Sequence, residues 1–393
     1  MTLNGNPTIP ESEYPERWAK VQAMMARHNL DLLIAYADDR AVFGHAHARW
    51  LANFPVHFEP CFILFPPSGA PVMVCGPETV NYALLASTIK DIRALDVFTH
   101  PDEDYPYSKI QSLPEILHDI GYNAGDMRRI GLAGKGLIGA DLYTALTRTF
   151  AGAEWVDSES AMLEIRAIKS PAEIAVIRHT YNIAEIGLQA AVEAIRPGVT
   201  ERAVAAEVDA AMRRAGIEGY GLETCVAAGP NSRSILGRST WRKIEDNDLV
   251  LLTIFPRYEG YHAAIGRPVL VGNPGKEIEF ALEKAWEAEL AAFELMRPGA
   301  PGREVEGAAR RTMEEAGLGE YFPYSGVHSV GVIEFEPPIF GPSATGTVQA
   351  EMVLSIDVPV FHTPWGGLRH EDGFLITADG AERLHETPYR IQK

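Results

Sequence analysis

Cysteine is scarce in this chain. Cys61, Cys75 and Cys225 are the only three in 393 residues, they lie far apart, and no CxxC pair occurs. That excludes a disulfide framework and leaves buried free thiols of a reducing compartment as the expectation. Positive charge is short as well: 35 Lys and Arg stand against 53 Asp and Glu, a net charge of -18. Nucleic acid, whose phosphates demand basic patches, is therefore excluded as a partner, and the acidity reads as a solvated surface. No run of about 18 apolar residues is present, so no membrane span is expected. The first residues, MTLNGNPTIPESEYPERW, are polar and lack the apolar core of a secretion signal. A cytoplasmic protein is the expectation.

What is present is an ordinary globular balance, 46% hydrophobic and 22% charged, long enough for two domains. Up to about residue 160, apolar strand-like runs alternate with helices. LDLLIAYA (30–37), CFILFPP (61–67) and APVMVCG (70–76) read as strands, and the 16–30 segment reads as an amphipathic helix. A domain boundary follows, dividing 1–160 from 161–393. Ser170-Pro171-Ala172-Glu173 has the form of a helix start: a Ser cap, Pro in the first turn, and Glu closing a capping box. That helix is expected to run to Arg196-Pro197-Gly198, and a second from Thr200 to Gly216.

The chain then repeats itself. AAVEAIRPGVTERAVAAEVDAAMRRAG from Ala190 aligns without a gap with AAFELMRPGAPGREVEGAARRTMEEAG from Ala291. About ten identities over about 27 residues include the RPG break and the AG stop. Two such halves imply an α/β (α+β) domain with internal pseudo-twofold symmetry and a cleft between the halves.

Between the repeats lies LVLLTIFPRYEGYHAAIGRP, Leu249–Pro268, which reads as two strands joined at Tyr258–Gly260. If the return strand is regular, His262, Ala264 and Gly266 share a face. This hairpin resembles the metal-binding hairpin of the pita-bread superfamily of creatinase, prolidase, aminopeptidase P and methionine aminopeptidase. LEIRAIKSPAEIAVIR (163–178), GPNSRS (229–234), GVHSVG (326–331), MVLSIDVPV (352–360) and LRHEDGFLIT (368–377) resemble other segments of that domain. Residues before about 160 resemble, more loosely, the N-terminal domain of creatinase and prolidase. The resemblance implies the pita-bread fold and a homodimer whose N-terminal module completes the partner's site.

Carried over residue by residue, the peptidase metal set is broken. The two hairpin aspartate positions hold Thr253 and Ala264. The histidine position keeps His328, the first glutamate position holds Asp357, and the last keeps Glu371. A pair of metal ions needs bridging carboxylates, so a second ion is not expected. The hairpin is closest in pattern to creatinase, which works without metal. The leading expectation is thus a metal-independent creatinase-like hydrolase with no cofactor, cutting a C–N bond of a small amide, amidine or ureido compound. Asp357 or Glu371 would activate water, and His328, helped by His262, would protonate the leaving nitrogen. Arg369 would anchor a substrate carboxylate bidentately. His57, in a loop that could cross a dimer, and Arg238, at the cleft rim, are candidate substrate contacts. Thr253, Ala264 and Gly266 would leave a wide pocket. Creatine is not the expected substrate, because positions that carry creatinase's own catalytic groups hold other residues here, Gly266 among them. Two alternatives stand beside this reading. One is a mononuclear Xaa-Pro-type metallopeptidase or a lyase, with one divalent ion on His328, Asp357 and Glu371. The other is a non-catalytic binding protein. Phe322, Tyr324 and Phe335 are expected as core or pocket wall.

Overall fold

The computed structural model describes residues 2–3 and 5–393. The chain forms two units, Ile9–Ile165 and a second that gathers Arg166–Lys393 with the described residues before Ile9.

The N-terminal unit is built on a seven-stranded mixed sheet. Leu32–Ala37 lies inside it, antiparallel to Cys61–Phe65 and parallel to Arg129–Ala133. Leu32–Ala37 and Cys61–Phe65 are apolar on both faces and buried throughout. Helices including Leu113–Asp119 and Ala140–Thr149 supply Leu113, Ile116, Leu142 and Leu146 to the core on one face. The amphipathic helix runs Glu13–Arg27, three residues earlier at each end than its pattern suggests.

In the C-terminal unit, helix Pro171–Ala194 starts as its sequence requires. The Ser170 hydroxyl accepts from Glu173 N, and the Glu173 carboxylate accepts from Ser170 N at 2.7 Å. The next helix, Glu201–Arg214, is capped by Thr200. The repeat is visible in the backbone hydrogen bonds. In the first half Gly198 N donates to Ile244 O and Ile244 N to Val199 O; in the second Gly299 N donates to Val348 O and Val348 N to Ala300 O. Thr200 bridges Lys243 as Pro301 bridges Thr347. Gly198 and Gly299, the glycines of the two RPG breaks, take φ of +89° and +87°, a region an L side chain resists. Val204 and Met212 of one half match Val305 and Met313 of the other, all fully buried.

The two halves share a nine-stranded sheet. Its register sets one row of cross-strand partners: Cys225, Thr253, Gly266, Glu371 and Asp357. Directly opposed residues of antiparallel strands share a face, so this row lines one side of the sheet. Against the other side lies helix Lys276–Phe293, whose Ile278, Leu282, Ala285 and Ala292 pack with Ile356, Val358 and Phe374.

The hairpin departs from its expected two-strand form. Leu249–Ile254 pairs with Ile265–Leu270 in the large sheet. Pro256–Tyr258 and Tyr261–His262 instead join Gly219–Tyr220 in a separate three-stranded sheet. Ala263 and Ala264 fall in the break between them. His262 and Gly266 therefore do not lie on one regular strand, and the same-face expectation for His262, Ala264 and Gly266 is corrected. No helix among the described residues is long and apolar enough to cross a membrane.

Candidate functional site

The long strand pair Val353–Thr363 and Gly366–Ile376 carries Asp357 opposite Glu371. Strand Val327–Ser329 pairs alongside and sets His328 opposite Ser355. His328, Asp357, Arg369 and Glu371 are thereby brought together, and all are buried. His328 Nδ1–H donates to the Ser329 carbonyl at 3.1 Å, which turns Nε2 toward Glu371 Oε1 at 3.5 Å. Ser355 Oγ donates to the same Glu371 oxygen at 2.9 Å, while Glu371 Oε2 is buried with no hydrogen-bond partner. Phe335 covers the His328 ring, centroid to centroid 4.5 Å.

Asp357 is engaged elsewhere. Its Oδ2 accepts from the Tyr324 hydroxyl at 2.8 Å, and Oδ1 faces Arg369 Nε at 3.2 Å without hydrogen-bond alignment, so that contact is purely ionic. Arg369 Nε and Nη2 both donate to the Tyr324 oxygen, at 3.1 and 2.7 Å. The Nε–Nη2 edge of the Arg369 fork is occupied by Tyr324. Tyr324, expected as wall, is the bridge between Arg369 and Asp357.

Gly266 does not widen a pocket. A Cβ there would stand 2.6 and 2.7 Å from Arg369 Cγ and Cδ. The missing side chain is what lets the arginine stem cross the sheet. Thr253 is 6% exposed, with its hydroxyl in reach of the Cys225 thiol, and Ala264 is fully buried. Neither offers a charge. His262 is turned to the backbone: its N and its Nδ1 both donate to Gly331 O, at 2.9 and 3.1 Å. Two other candidates are exposed to solvent. Arg238 is 81% exposed and paired with Glu223 at 3.1 Å, because its loop runs along solvent. His57 is exposed on a loop of the N-terminal unit.

One residue that the sequence did not single out joins the group. Glu334, 5% exposed, offers an oxygen within 4.8 Å of donor atoms of both His328 and Glu371. The sequence signal was the alternation Glu334-Phe335-Glu336, which needs the loop's fold to be read.

The electrostatics follow from crowding charges in a dry place. Burial raises the Glu334 carboxyl to about 7, with the Glu371 charge adding to it and His328 opposing. Burial likewise lifts Asp357 to about 7 against the pull of Arg369. For Glu371, burial is outweighed by the His328 hydrogen bond and the Arg369 charge, and its pKa falls below the ordinary value. Burial also opposes charge on His328, but the Glu371 hydrogen bond and the charges of Glu334 and Glu371 win and raise it.

This donor set suits one divalent cation. One imidazole nitrogen is oriented by a backbone carbonyl behind it, two buried carboxylates stand near it, and a carboxylate oxygen has no other partner. The third donor that the structure brings to His328 and Glu371 is Glu334, not Asp357, because Asp357 is tied to Tyr324 and Arg369.

Comparison with known proteins bears on the chemistry. The model of metallopeptidase family M24 matches residues 175–378, and that of the creatinase/prolidase N-terminal domain matches 17–168. An Xaa-Pro dipeptidase of Pyrococcus horikoshii is 33% identical over 234 residues, 60% of this chain and 67% of that one. An uncharacterized peptidase of Bacillus subtilis is 28% identical over 249 residues, 63% of this chain and 70% of its own. Among solved structures, the prolidase of Pyrococcus horikoshii superposes with a TM-score of 0.81 at 24% identity, covering 95% of this chain and 99% of that one. The aminopeptidase PepP of Pseudomonas aeruginosa gives 0.75 at 19%, covering 96% and 95%. At such identities the structural likeness shows the fold alone. The expectation of a metal-independent creatinase-like hydrolase with no cofactor is overturned, because the matching family is one of metallopeptidases and the curated relatives include Xaa-Pro dipeptidases. With the site's geometry and both domain matches in place, this chain belongs to metallopeptidase family M24, with a creatinase/prolidase N-terminal domain ahead of the pita-bread fold.

Proposed function

We propose that the protein is a metal-dependent hydrolase that cleaves the C–N bond of small peptides of the Xaa-Pro type, with a single divalent cation. The observation that carries this reading is the buried His328–Glu371 pair, with an oriented imidazole nitrogen and an unpartnered carboxylate oxygen. The Xaa-Pro dipeptidase relatives supply the substrate class. A homodimer and a cytoplasmic location belong to the same reading.

When bound at His328 and Glu371, a divalent cation supplies Lewis acidity toward a carbonyl oxygen. The remaining work falls to the chain. Asp357 shares the sheet face of Glu371, and its carboxyl is held up to about 7 by burial. A group titrating near neutrality can both take a proton from the attacking water and return it to the leaving nitrogen. Tyr324 and Arg369 hold that carboxyl in place. Phe335 and the surrounding buried strands keep solvent away from His328.

The test is turnover of a panel of Xaa-Pro dipeptides by protein loaded with Mn²⁺ and by protein stripped with chelator. Hydrolysis by the loaded form alone is expected. Asp357→Asn should lower kcat by about 10²- to 10⁴-fold while Mn²⁺ stays bound. Equal turnover after chelation, or no cleavage of any dipeptide, would overturn the assignment.

A further inference from the structure

Across the sheet face that bears the site, the hairpin end of the row is filled by protein. Thr253 meets Cys225, and the Arg369 stem lies over Gly266. A further carboxylate, Glu334, stands outside that row beside His328 and Glu371. It sits on the loop between Val327–Ser329 and Glu336–Phe340, where a register shift at His328/Ser329 loosens the strand pairing. The loop is held in a defined shape. Gly331 O accepts both hydrogen bonds from His262, and Gly331 N donates to Ile333 O at 3.0 Å. The Glu334 stem packs so closely on Gly221 that a Cβ there would be 2.8 Å from Glu334 Cβ and 3.0 Å from His262 Cδ2. Phe335 and Glu334 thus point to different environments: Phe335 is 38% exposed and Glu334 is 5% exposed.

Glu336, two residues on, shows what a merely structural buried glutamate looks like here. It is paired with Lys169 at 3.3 Å and Arg166 at 3.4 Å. Glu334 makes no hydrogen bond and no ion pair among the described residues. One of its oxygens lies within 4.8 Å of donor atoms of His328 and Glu371, whose Oε2 is itself unpartnered, and the Arg369 charge acts on Glu334 without a contact. A buried carboxylate that makes no ion pair is costly, and a divalent cation would engage both.

We propose that Glu334 is the third metal ligand, holding one divalent cation together with His328 and Glu371 in place of Asp357. The inference rests on the metal-dependent reading above and names the donor that completes it. His262 is then a positioning residue, acting through Gly331 on the loop.

The experiment measures Mn²⁺ binding to the full chain by calorimetry, with thermal unfolding in the presence and absence of Mn²⁺. Wild type should bind about one Mn²⁺ per chain and unfold at a higher temperature with it. Loss of a group merely behind a ligand costs about 10- to 100-fold in affinity, so Glu334→Gln should weaken binding by at least about 100-fold. The metal-free variant should be no less stable than metal-free wild type, because a carboxylate is removed from beside Glu371. Glu334→His, which restores a donor, should recover part of the binding. Asp357→Asn should bind Mn²⁺ within a few-fold of wild type. Loss of binding in Asp357→Asn with binding kept in Glu334→Gln would overturn the role of Glu334 and leave the metal-dependent reading standing. Failure of wild type to bind Mn²⁺ or Zn²⁺ would overturn that reading itself.

Discussion

Strand Gly366–Ile376 presents two clusters of the same residue types on its two faces, and they are built for different ends. On one face Glu371 joins His328 and Glu334; on the other His370 and Asp372 join Glu289 of helix Lys276–Phe293. Each is a buried histidine with two buried carboxylates. The second cluster already holds its cations. Arg267, fully buried, reaches both Asp372 and His370, the latter at 2.8 Å. Arg383 pairs with Asp372 at 3.0 Å and also with Glu289, and His385 meets Asp372 at 3.2 Å. Burial, with the Arg267 charge behind it, holds the His370 imidazole well below its ordinary pKa, whereas the Glu371 hydrogen bond and the charges of Glu334 and Glu371 raise His328 against burial. Residue type alone does not mark a metal site. What separates the two clusters is direct ion pairing: Glu289 and Asp372 contact arginines, whereas Glu334 and Glu371 contact none among the described residues.

That contrast can be broken from the structural face first. Arg267→Met leaves Asp372 buried beside one fewer cation, and removing one partner of a buried pair costs about 3–5 kcal/mol. Urea unfolding should show a loss of that size in metal-free protein. A loss below about 1 kcal/mol would mean that counter-charge is not what holds the second cluster. On the site face, Tyr324→Phe should cost less, about 1–3 kcal/mol, by leaving a buried Asp357 oxygen without its donor. It should also lower kcat more than it changes KM. An unchanged kcat would separate Asp357 from the chemistry.

A third effect concerns acid. Burial, aided by the Arg257 charge, lowers the folded His262 pKa from 6.5 to about 3. Between those values the unfolded chain takes up a proton that the folded chain refuses. Stability from this group is thus fully present above about 6.5 and is lost as pH falls toward about 3. His262→Gln should flatten the pH dependence of unfolding in that window by up to about 1.4 kcal/mol per pH unit. A slope equal to that of wild type would show that His262 is not held neutral by the fold.

Local signals were legible along the chain. The Ser170–Glu173 capping box, the two RPG breaks and the apolar strands of the N-terminal sheet each depend on residues within a few positions of one another. Their energetics do not wait for the rest of the molecule. The pita-bread fold, His328 and Glu371 were read from motif resemblance in the same way. The return strand was misjudged because alternation assumes an unbroken pleat. The backbone instead breaks at Ala263–Ala264, and Tyr261–His262 pairs with Pro256–Tyr258 in the small three-stranded sheet.

By itself the sequence determined the two-domain α/β plan and the repeated helix pairs, with Thr253 and Ala264 uncharged in the hairpin. Each is a matter of local pattern or of residue identity. Only the tertiary structure decided which carboxylates make direct ion pairs. Asp357 lies 33 positions from Tyr324, and its pairing with Tyr324 and Arg369 is set by strand register. Glu334 and Glu336 are near-identical neighbours in sequence. Lys169 and Arg166, more than 160 positions away, neutralise one of them, and the fold leaves the other facing His328 and Glu371. Charge compensation in a dry interior is a property of distances, and those distances are created by register and loop closure far along the chain.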